Sequence, residues 1–481
     1  MNARRPMDAV VVVGGGLTAL CAAIAYARAL PRAQVTLAVT PIDPAALADR
    51  LPAVTPPVAA TFDTLGIDPR MLVAASAATH RVGERFDWGT PPFAIGEGEG
   101  VPAIAGTALH QLWLAHGDGA YDALVPGAAL ASAERFVLPT QDPRSLLSRT
   151  DYTLRLDADR ATPLLAQAAQ AARVRVVRAS ALSVTAGPDG IAAIDADGTR
   201  LTADLYIDAS GPTAMLAPPG AEWIDWRETL PADRLLLGSA AAAPSPTDRY
   251  ERHAIGWTAH WPLATRTLSA LAWRASATGD ATARKQMPGE AELIAVQPRR
   301  RAAPFAGNVL ALGDAAAAVG PLGWMGFALA LAQLAVALEL MPSAQPEPGL
   351  IAEYNRRATL RADRVHAYLA AFHLAAPART GGFWHPLRKV TPPAELATAL
   401  AQFGQRGSLP PVEEEIIPKS QWRQALIGLG IRPARLDPIA LSVPAAQAKA
   451  ALGQLRDAVA MLPAALPPYP DYLTMSKRGG R

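Results

Sequence analysis

A run of three glycines near the start of the sequence constrains the fold of this chain more than any other feature. The run from Gly14 to Gly16 follows the apolar stretch Ala9–Val13, typical of a buried strand, and precedes an alanine-rich segment typical of a helix. With the next three residues it matches the pattern G-x-G-x-x-A, in which missing side chains let backbone N–H groups and a helix N-terminus approach a pyrophosphate. The residues predicted to contact such a cofactor are Gly14, Gly16, Leu17, Thr18 and Ala19.

The second predicted strand, residues 34–38, completes a β-turn-α-β unit but lacks one feature of dinucleotide sites. Its end carries no acidic residue to bind the adenosine ribose, because Val39 and Thr40 stand there and the next carboxylate is Asp43. Two alternatives follow: either the ribose is held weakly, or Thr40 and Asp43 substitute for the missing acid. Thr40 is therefore predicted as a cofactor-binding residue.

A later segment, residues 308–316, carries a second cofactor signature. An apolar strand there ends at Gly313 and Asp314, as strands that face a cofactor do at their carboxyl ends. The segment resembles the second FAD signature of flavoprotein monooxygenases, in which the aspartate hydrogen-bonds the ribityl chain. The alternative is that Asp314 only caps the helix that follows, since capping needs the same local geometry. Together with the glycine motif, the segment predicts FAD as the cofactor, with Gly313 and Asp314 among its contacts.

Composition and charge argue against several classes of protein. A net charge of +3 over 481 residues, without a basic run, makes nucleic acid an unexpected partner. The one cysteine, Cys21, excludes an intramolecular disulfide and a thiolate metal cluster, so we expect a reducing, cytoplasmic location. Histidines and carboxylates lack metal-ligand spacing, so no metal site is expected. Residues 315–338 carry no charge, yet glycines and a proline interrupt them, which favours a buried helix over a membrane span.

Five blocks of sequence, in order along the chain, resemble the flavin-dependent tryptophan halogenases. They extend from about residue 8 to Leu473, and their shared order makes chance implausible. The blocks are residues 78–83 with 85–86, 204–211, 256–257 with 261–263, 320–322, and 428–433 with 436–438. The resemblance implies an α/β fold: a doubly wound FAD-binding domain of the aromatic-hydroxylase type over residues 1–345, a β-rich substrate layer interleaved at roughly 80–300, and a mainly helical carboxyl-terminal region over 346–481.

The resemblance also implies a chemistry with several partners. In that family a separate flavin reductase supplies reduced FAD, which reacts with oxygen to a hydroperoxide. Halide attacks the hydroperoxide, and the hypohalous acid travels to an essential lysine, beside which a carboxylate assists attack by the aromatic substrate. A flavin reductase and an aromatic small molecule are therefore the expected partners, without nucleic acid or a membrane span, and a homodimer is left open.

The residues that carry halogenation in the family are replaced in this chain. The family lysine falls at Arg81, and an arginine, with a pKa above about 12, supplies no neutral amine near pH 7. No shift of register restores the lysine, because the first lysine of the chain is Lys285. The family glutamate falls at Gly323, and Trp324 and Met325 stand where small hydroxyl residues usually help to hold halide.

Two further departures lie in other blocks. The second tryptophan of the motif that marks halogenases has become Ala259. The Gly-Glu-Ser loop expected to cover the flavin is replaced by residues 50–54, Arg-Leu-Pro-Ala-Val. Four departures therefore point away from halogenation.

Several side chains near these altered blocks are candidates for the remaining chemistry. Arg81, in the lysine position, and its neighbour His80 are the candidate catalytic residues, and His260 is a second candidate acid or base. Trp257 and Trp324 are candidate substrate-facing or flavin-facing side chains. For the histidines the alternative is a packed or solvated ring, and for the tryptophans it is ordinary core packing.

Three functions fit these observations. The first is an FAD-dependent oxidoreductase of the monooxygenase type that no longer halogenates. The second is a degenerate homologue that binds flavin weakly or not at all and acts as a partner of an active paralogue. The third is a genuine halogenase that works through Arg81 or a group outside the alignment. The four departures favour the first.

Overall fold

The chain folds into two compact units, each assembled from three separate segments. The computed structural model describes residues 5–88, 91–188, 190–287, 289–375 and 381–479. The first unit comprises Met1–Ala78, Arg155–Asp233 and Ile294–His366, and the second comprises Thr79–Leu154, Arg234–Leu293 and Ala367–Arg481. The predicted cofactor residues fall in the first unit, and Arg81 falls in the second.

The strands and α-helices of the described residues are numbered in chain order. The strands are Ala9–Val13 (β1), Gln34–Val39 (β2), Ala53–Val54 (β3), Ala78–Arg81 (β4), Gly83–Asp87 (β5), Phe93–Gly96 (β6), Thr153–Leu156 (β7), Arg175–Arg178 (β8), Leu182–Gly187 (β9), Gly190–Ala196 (β10), Thr199–Leu201 (β11), Leu205–Asp208 (β12), Trp223–Asp225 (β13), Arg234–Ala241 (β14), Thr247–His253 (β15), Gly256–Pro262 (β16), Arg266–Trp273 (β17), Ala291–Ala295 (β18), Arg299–Arg301 (β19), Phe305–Ala306 (β20), Val309–Ala311 (β21) and Ala317–Ala318 (β22). The helices are Leu17–Ala29 (α1), Leu47–Arg50 (α2), Ala59–Asp63 (α3), Pro69–Ala74 (α4), Leu109–His116 (α5), Pro126–Ser132 (α6), Ala158–Ala171 (α7), Asp280–Arg284 (α8), Gly326–Glu339 (α9), Pro348–Leu374 (α10), Ala394–Arg406 (α11), Lys419–Gly428 (α12), Pro438–Ser442 (α13), Ala445–Met461 (α14) and Tyr469–Gly479 (α15).

A six-stranded sheet in the order β20-β21-β12-β1-β2-β8 forms the centre of the first unit. β1 pairs in parallel with β2 and β12, which aligns Val13 with Ala38 and with Asp208. β21 and β8 extend this parallel set. Val10 to Val13 are all buried, as expected for a central parallel strand covered on both faces. The carboxyl ends of these strands share one edge, and Thr40 and Gly313 follow β2 and β21 there.

A β-hairpin lies in the middle of the sequence. β10 pairs antiparallel with β11, and the turn between them is Asp197-Gly198. Both turn residues have positive φ, 48° and 82°, as a two-residue hairpin turn of the I′ type requires. With β9 the two strands form a small three-stranded sheet of the first unit.

A seven-stranded sheet in the order β18-β14-β17-β16-β15-β5-β6 forms the second unit. β14, β17, β16 and β15 pair antiparallel in turn, whereas β15 and β5 pair in parallel and align Thr247 with Gly83. Helices α5, α6, α8 and α11 to α15 and the end of α10 complete the unit. The parallel sheet and the helical carboxyl-terminal region predicted from the resemblance are therefore confirmed.

One helical stretch of the described residues is long and apolar enough to cross a membrane. It is Leu322–Glu339, with a mean hydropathy of 1.6. In the structure 83% of this stretch is buried, and α9 packs against α1, α2 and α3 within the first unit. This burial is that of a core helix.

Candidate functional site

The predicted dinucleotide loop lies at the carboxyl end of β1. Gly14 has a φ of 148°, and a Cβ at this position would lie 2.2 Å from the carbonyl oxygen of Ala209, so a larger residue would collide with the end of β12. α1 begins at Leu17, and its first turn therefore opens at this edge of the sheet. A helix N-terminus next to a glycine backbone, whose N–H groups are not covered by side chains, is the arrangement that binds a pyrophosphate.

An aspartate that the sequence did not reveal occupies this helix N-terminus. The backbone N–H of Thr18 donates to Asp49 Oδ1 at 2.7 Å in a buried contact. A Cβ on Gly16 would lie 2.1 Å from Asp49 Cγ, so the carboxylate rests on the bare backbone of Gly16. The carboxylate of Asp49 thus stands where a pyrophosphate would accept hydrogen bonds. No sequence pattern marks Asp49 as a site residue, because it reaches the glycine loop only through the way in which α2 packs in the folded chain.

The second predicted cofactor residue, Asp314, is engaged by the same helix. The backbone N–H of Ala48 donates to Asp314 Oδ2 at 2.8 Å, and this contact is buried. A Cβ on Gly326, at the start of α9, would lie 3.1 Å from Ala48 Cα. The alternative that Asp314 caps the following helix is wrong, because Leu312 is the N-cap of the short turn that holds Asp314, and Met325 is the N-cap of α9.

Residues 43–51, named the α2 segment below, therefore lie across the predicted cofactor positions. Asp43 anchors the start of the segment, because its carboxylate accepts from the backbone N–H of Ala45 at 2.8 Å and from the Thr213 hydroxyl. Asp49 accepts a hydrogen bond at the predicted pyrophosphate position, and Ala48 donates one to the carboxylate predicted to bind the ribityl chain. The predicted cofactor positions, named the filled groove below, are thus engaged by the chain itself.

Burial raises the pKa of both carboxyl groups in the filled groove. It raises the pKa of Asp49 to about 6, although the hydrogen bonds from Thr18 act to lower it. It raises the pKa of Asp314 to about 8, against the lowering effect of the Ala48 N–H, and the charges of Asp49 and Asp43 add to the rise. Among the described residues no cation contributes to either shift. The filled groove is therefore most stable while these carboxyls are protonated.

The pH dependence of unfolding is expected to reveal the buried Asp314 carboxyl. Its pKa in the folded chain lies above the ordinary value of 3.8. Its contribution to stability is therefore complete below about pH 4 and is lost as the pH rises towards 8. The free energy of unfolding of the wild type, relative to Asp314→Asn, should fall by about 1 kcal/mol per pH unit between pH 5 and 8. Urea unfolding of both proteins over this pH range measures the difference, because the titration of all other groups contributes equally to both proteins. A difference that does not change with pH would contradict a raised pKa of the Asp314 carboxyl.

The predicted cofactor residues fit FAD in their chemistry, but the α2 segment already engages two of the groups that FAD would contact. The structure brings them together, since a Cβ on Gly313 would lie 3.1 Å from Thr18 Cγ2. Thr40 Oγ1 is buried without a hydrogen-bond partner in the described part of the chain, and a ligand commonly satisfies such a group. The N–H of Thr18, however, is already taken by Asp49. A pyrophosphate that accepts from this N–H group must therefore replace the Asp49 carboxylate.

Arg81, in the family lysine position, is the centre of a buried ion-pair cluster in the second unit. Its Nη1 lies 3.1 Å from Glu84 Oε1 and 3.2 Å from Asp248 Oδ2, and its Nη2 lies 2.9 Å from Glu97 Oε1. These four side chains, named the Arg81 cluster, are at most 10% exposed. The hydroxyl of Tyr250 also donates to Glu84, at 3.1 Å. The guanidinium is thus held from three separate segments of chain.

The Arg81 cluster sets one cation against three carboxylates. Burial raises the pKa of Glu84 to about 7, with Asp248 and Glu97 adding to the rise and Arg81 opposing it. Although burial acts to lower the pKa of Arg81, the three carboxylates raise it above its ordinary value. Arg81 is therefore permanently charged, and its geometry is that of a structural residue rather than a nucleophile or proton relay.

The two candidate histidines are both packed in the second unit. The ring of His80 stacks on Phe136 at 4.2 Å between centroids, and its Nδ1 lies 3.2 Å from the Tyr469 hydroxyl. That hydroxyl accepts the backbone N–H of His80 at 2.7 Å, which leaves its own proton for Nδ1. His260 Nδ1 lies 3.0 Å from Ser269 Oγ, and burial lowers the pKa of His260. These contacts fit the alternative of packed rings.

The two candidate tryptophans are also buried. Trp257 lies in an aromatic cluster of the second unit, with its ring centroid 6.1 Å from that of Trp88. Trp324 is buried in the first unit and has a φ of 52°, directly after Gly323 with a φ of 70°. The family glutamate position therefore has a left-handed backbone, which glycine tolerates and glutamate would strain.

Comparisons with known proteins agree with this architecture. Residues 9–445 match the family model for tryptophan halogenase. BrvH, a flavin-dependent halogenase from Brevundimonas sp. BAL3, is 24% identical with a TM-score of 0.90, over 98% of this chain and 99% of that chain. Xcc4156, a flavin-dependent halogenase from Xanthomonas campestris, is 24% identical with a TM-score of 0.89, over 98% and 99%. The tryptophan 6-halogenase SttH from Streptomyces toxytricini is 21% identical with a TM-score of 0.87, over 98% and 100%. The structures share the fold, and because the family match spans nearly the whole sequence, this chain belongs to the tryptophan halogenase family.

Proposed function

We propose that this chain is a non-halogenating, FAD-dependent oxidoreductase of the monooxygenase type. The observation that carries the proposal is the Arg81 cluster, in which the residue at the lysine position is a guanidinium tied to three buried carboxylates. A charged guanidinium offers no amine to hypohalous acid. Gly323 supplies no carboxylate, and Trp324, which stands where small hydroxyl residues were expected to help hold halide, is buried. These features support a loss of halogenation with retention of the fold.

Membership of the tryptophan halogenase family implies FAD as the cofactor. FAD, when bound, supplies two-electron redox and oxygen chemistry. The residues that we propose to hold it are Gly14, Gly16, Leu17, Thr18, Ala19, Thr40, Gly313 and Asp314, after the α2 segment has moved. Flavin-dependent halogenases use a separate flavin reductase and act on aromatic substrates, and we propose partners of these two classes. A cytoplasmic location, based on the single cysteine Cys21, completes the proposal.

No halogenated product is expected from tryptophan or indole when a flavin reductase, NADH, FAD and chloride or bromide are supplied. The reason is the missing amine at Arg81. Mass spectrometry of the reaction, beside a reaction without the protein, tests this. A halogenated product that requires the protein would establish the third hypothesis, a genuine halogenase, and overturn the proposal.

Replacement of Arg81 by lysine alone is not expected to restore halogenation. A lysine would still lack the carboxylate at Gly323 and the halide space at Trp324, and single members of a catalytic unit contribute little by themselves. The comparison is Arg81→Lys alone against Arg81→Lys with Gly323→Glu and Trp324→Ser. Because Gly323 has a left-handed backbone, a glutamate at this position would be strained, and we expect this strain to limit the halogenating activity of the triple variant as well. Halogenated product from Arg81→Lys alone, formed at a rate near that of the triple variant, would show that Gly323 and Trp324 are not obstacles.

A second candidate function is that of a flavin-free partner protein. The observation that favours it is the α2 segment, since Asp49 and Ala48 already satisfy the groups that would bind FAD. The two candidates differ in whether reduced flavin is consumed. Absorbance of the purified protein with and without added FAD, followed by NADH and oxygen consumption with a reductase, separates them. A protein that is colourless after incubation with millimolar FAD and removal of the unbound flavin supports the partner function.

A further inference from the structure

A small pocket in the second unit is lined by two opposite charges that do not pair with each other. The pocket has a volume of about 180 Å³ and lies between residues 99–103, the start of α5, the chain before α6, and α12. Its two charged side chains are Arg423 on α12 and Glu99 after β6, and it is named the Arg423–Glu99 pocket below. The lining also includes Val101, Leu109, His110, Tyr121 and Val125.

Arg423 supplies the positive end of the pocket. Its side chain is half-buried, and in the described part of the chain no carboxylate forms an ion pair with it. Its Nε is buried without a hydrogen-bond partner among those residues. Burial lowers the pKa of Arg423, opposed by Tyr121, yet an arginine remains charged at neutral pH. A half-buried cation without a counter-ion is costly, so an anionic group of a ligand would stabilise it.

Glu99 supplies the negative end. The residue is exposed, and within the described ranges no cation forms an ion pair with it. A second carboxyl, that of Asp151, lies near it. Burial raises the pKa of Asp151 against the lowering effect of the Tyr152 N–H, and the charges of Glu97 and Glu99 add to the rise. Glu99 thus stands near another acidic group without a cation beside it, and an ammonium group of a ligand would relieve this repulsion.

The other titratable side chains of the lining are neutral at pH 7. Burial raises the pKa of Tyr121 to about 12, although Arg423 opposes this, so its hydroxyl stays protonated. Burial, and then Arg423, lowers the pKa of His110 to about 4. His110 Nε2 lies 2.9 Å from the carbonyl oxygen of Gly407 and therefore carries the proton of the neutral ring. The lining thus presents one charge of each sign.

The two segments that carry these charges are tied together before any ligand arrives. Ser420 Oγ donates to the carbonyl oxygen of Gly98, the residue directly before Glu99, at 2.7 Å. Gln424 Oε1 accepts the backbone N–H of Gly96 at 2.8 Å. Ser420 and Gln424 lie on either side of Arg423 in α12, so the helix is fixed against the segment that leads to Glu99. A preorganised pocket loses little entropy on binding.

We infer that the Arg423–Glu99 pocket binds a small aliphatic α-amino acid as its zwitterion, with the carboxylate on Arg423 and the ammonium on Glu99. The side chain of the ligand lies against Val101, Leu109 and Val125. A ligand of one sign would leave the opposite charge of the pocket unpaired, and an inorganic ion would leave the apolar wall uncovered. The volume of about 180 Å³ slightly exceeds the roughly 150 Å³ cavity that binds benzene, so it suits leucine but not the larger indole of tryptophan. This site goes beyond the proposed function and requires no bound flavin.

Isothermal titration of L-leucine into the full-length protein without FAD tests this inference. Two probes keep the apolar part of leucine but lose one charge each: isoamylamine lacks the carboxylate, and isocaproate lacks the ammonium. Leucine is expected to bind saturably, about tenfold or more above isoamylamine in affinity, because the carboxylate meets a half-buried guanidinium. It should exceed isocaproate by about two- to fivefold, because Glu99 is exposed and its pairing is screened by solvent. L-Tryptophan is expected to bind more weakly than leucine.

Two variants assign each end of the ligand to its partner. Arg423→Gln should weaken leucine binding by about tenfold or more without weakening isoamylamine, which has no carboxylate to lose. Glu99→Gln should weaken leucine binding by about two- to fivefold without weakening isocaproate. Arg85→Gln is the matched control, because Arg85 is a half-exposed arginine of the same unit that does not line the pocket. It should leave the affinity for leucine unchanged.

Thermal unfolding separates binding from a structural role of the two charges. Leucine should raise the melting temperature of the wild type, and at the same concentration it should raise that of Arg423→Gln less. The comparison of leucine with its two singly charged probes uses the wild type alone, so it does not depend on the folding of a variant. The inference is overturned if leucine fails to bind the wild type at millimolar concentration, or if either singly charged probe or tryptophan binds as tightly as leucine. Equal binding of leucine by a folded Arg423→Gln would also overturn it.

Discussion

Asp49→Ala is expected to tighten FAD binding by about 10- to 100-fold, because the Asp49 carboxylate holds the N–H group that the pyrophosphate needs. A hydrogen bond to a charged acceptor is worth about 1.5–3 kcal/mol, and each 1.4 kcal/mol is about tenfold in affinity. In the wild type FAD binds only the fraction of molecules in which the α2 segment has moved, so its apparent affinity is reduced by that fraction. Removal of the carboxylate increases the fraction and also removes a negative charge from beside the pyrophosphate.

Titration of FAD into apo-protein, followed by flavin fluorescence, measures this effect. Asp49→Asn separates charge from contact, since the amide oxygen can still accept from Thr18 but carries no charge. Asp68→Asn is the matched control, because Asp68 caps α4 in the same unit and accepts from the backbone N–H of Arg70. A weaker affinity in Asp49→Ala would mean that Asp49 helps to bind FAD, which contradicts competition.

The elements of the parallel sheet were predictable because each follows from local pattern. Val10 to Val13 are continuous apolar residues before glycines, and the structure places them at the centre of the sheet. Asp314 was predictable as a residue at a strand end. Its partner was not, because Ala48 contributes only a backbone N–H, which no sequence pattern marks. The fold of the first unit was therefore visible in the sequence, whereas the filling of its groove was not.

For Arg81, in the second unit, part of its role could likewise be predicted from the sequence and part could not. The absence of a lysine before Lys285 was visible in the sequence, and it argued against halogenation. The structural reason for an arginine was not visible, because Glu97 and Asp248 lie 16 and 167 residues away in sequence. A cluster formed by distant segments depends on strand pairing, here the parallel alignment of β5 with β15. The sequence thus showed that a lysine is missing from this region, but not the carboxylates that surround the arginine in its place.

Arg81→Leu is expected to lower the free energy of unfolding by about 3–5 kcal/mol, because it leaves three buried carboxylates without their cation. The matched control is Arg85→Leu, since Arg85 is 43% exposed and pairs with the exposed Asp87 only at 3.5 Å; its loss should cost less than about 1 kcal/mol. Urea unfolding at pH 7.5 measures both effects. Arg81→Lys should fall between them, because lysine keeps the charge but loses the fork of donors that reaches Glu84, Asp248 and Glu97 together.

The pH dependence of this destabilisation distinguishes lost charge from lost packing. Without Arg81 the pKa values of the three carboxyls should rise further, since its lowering effect on Glu84 disappears. The carboxyls are then protonated in the folded variant at mildly acid pH, which removes most of the unpaired negative charge. The difference between wild type and Arg81→Leu should therefore shrink as the pH falls from 8 to 5, in accordance with linkage. A destabilisation that stays constant over this range would instead reflect a cavity left by the side chain, and the cluster would then contribute little electrostatic stability.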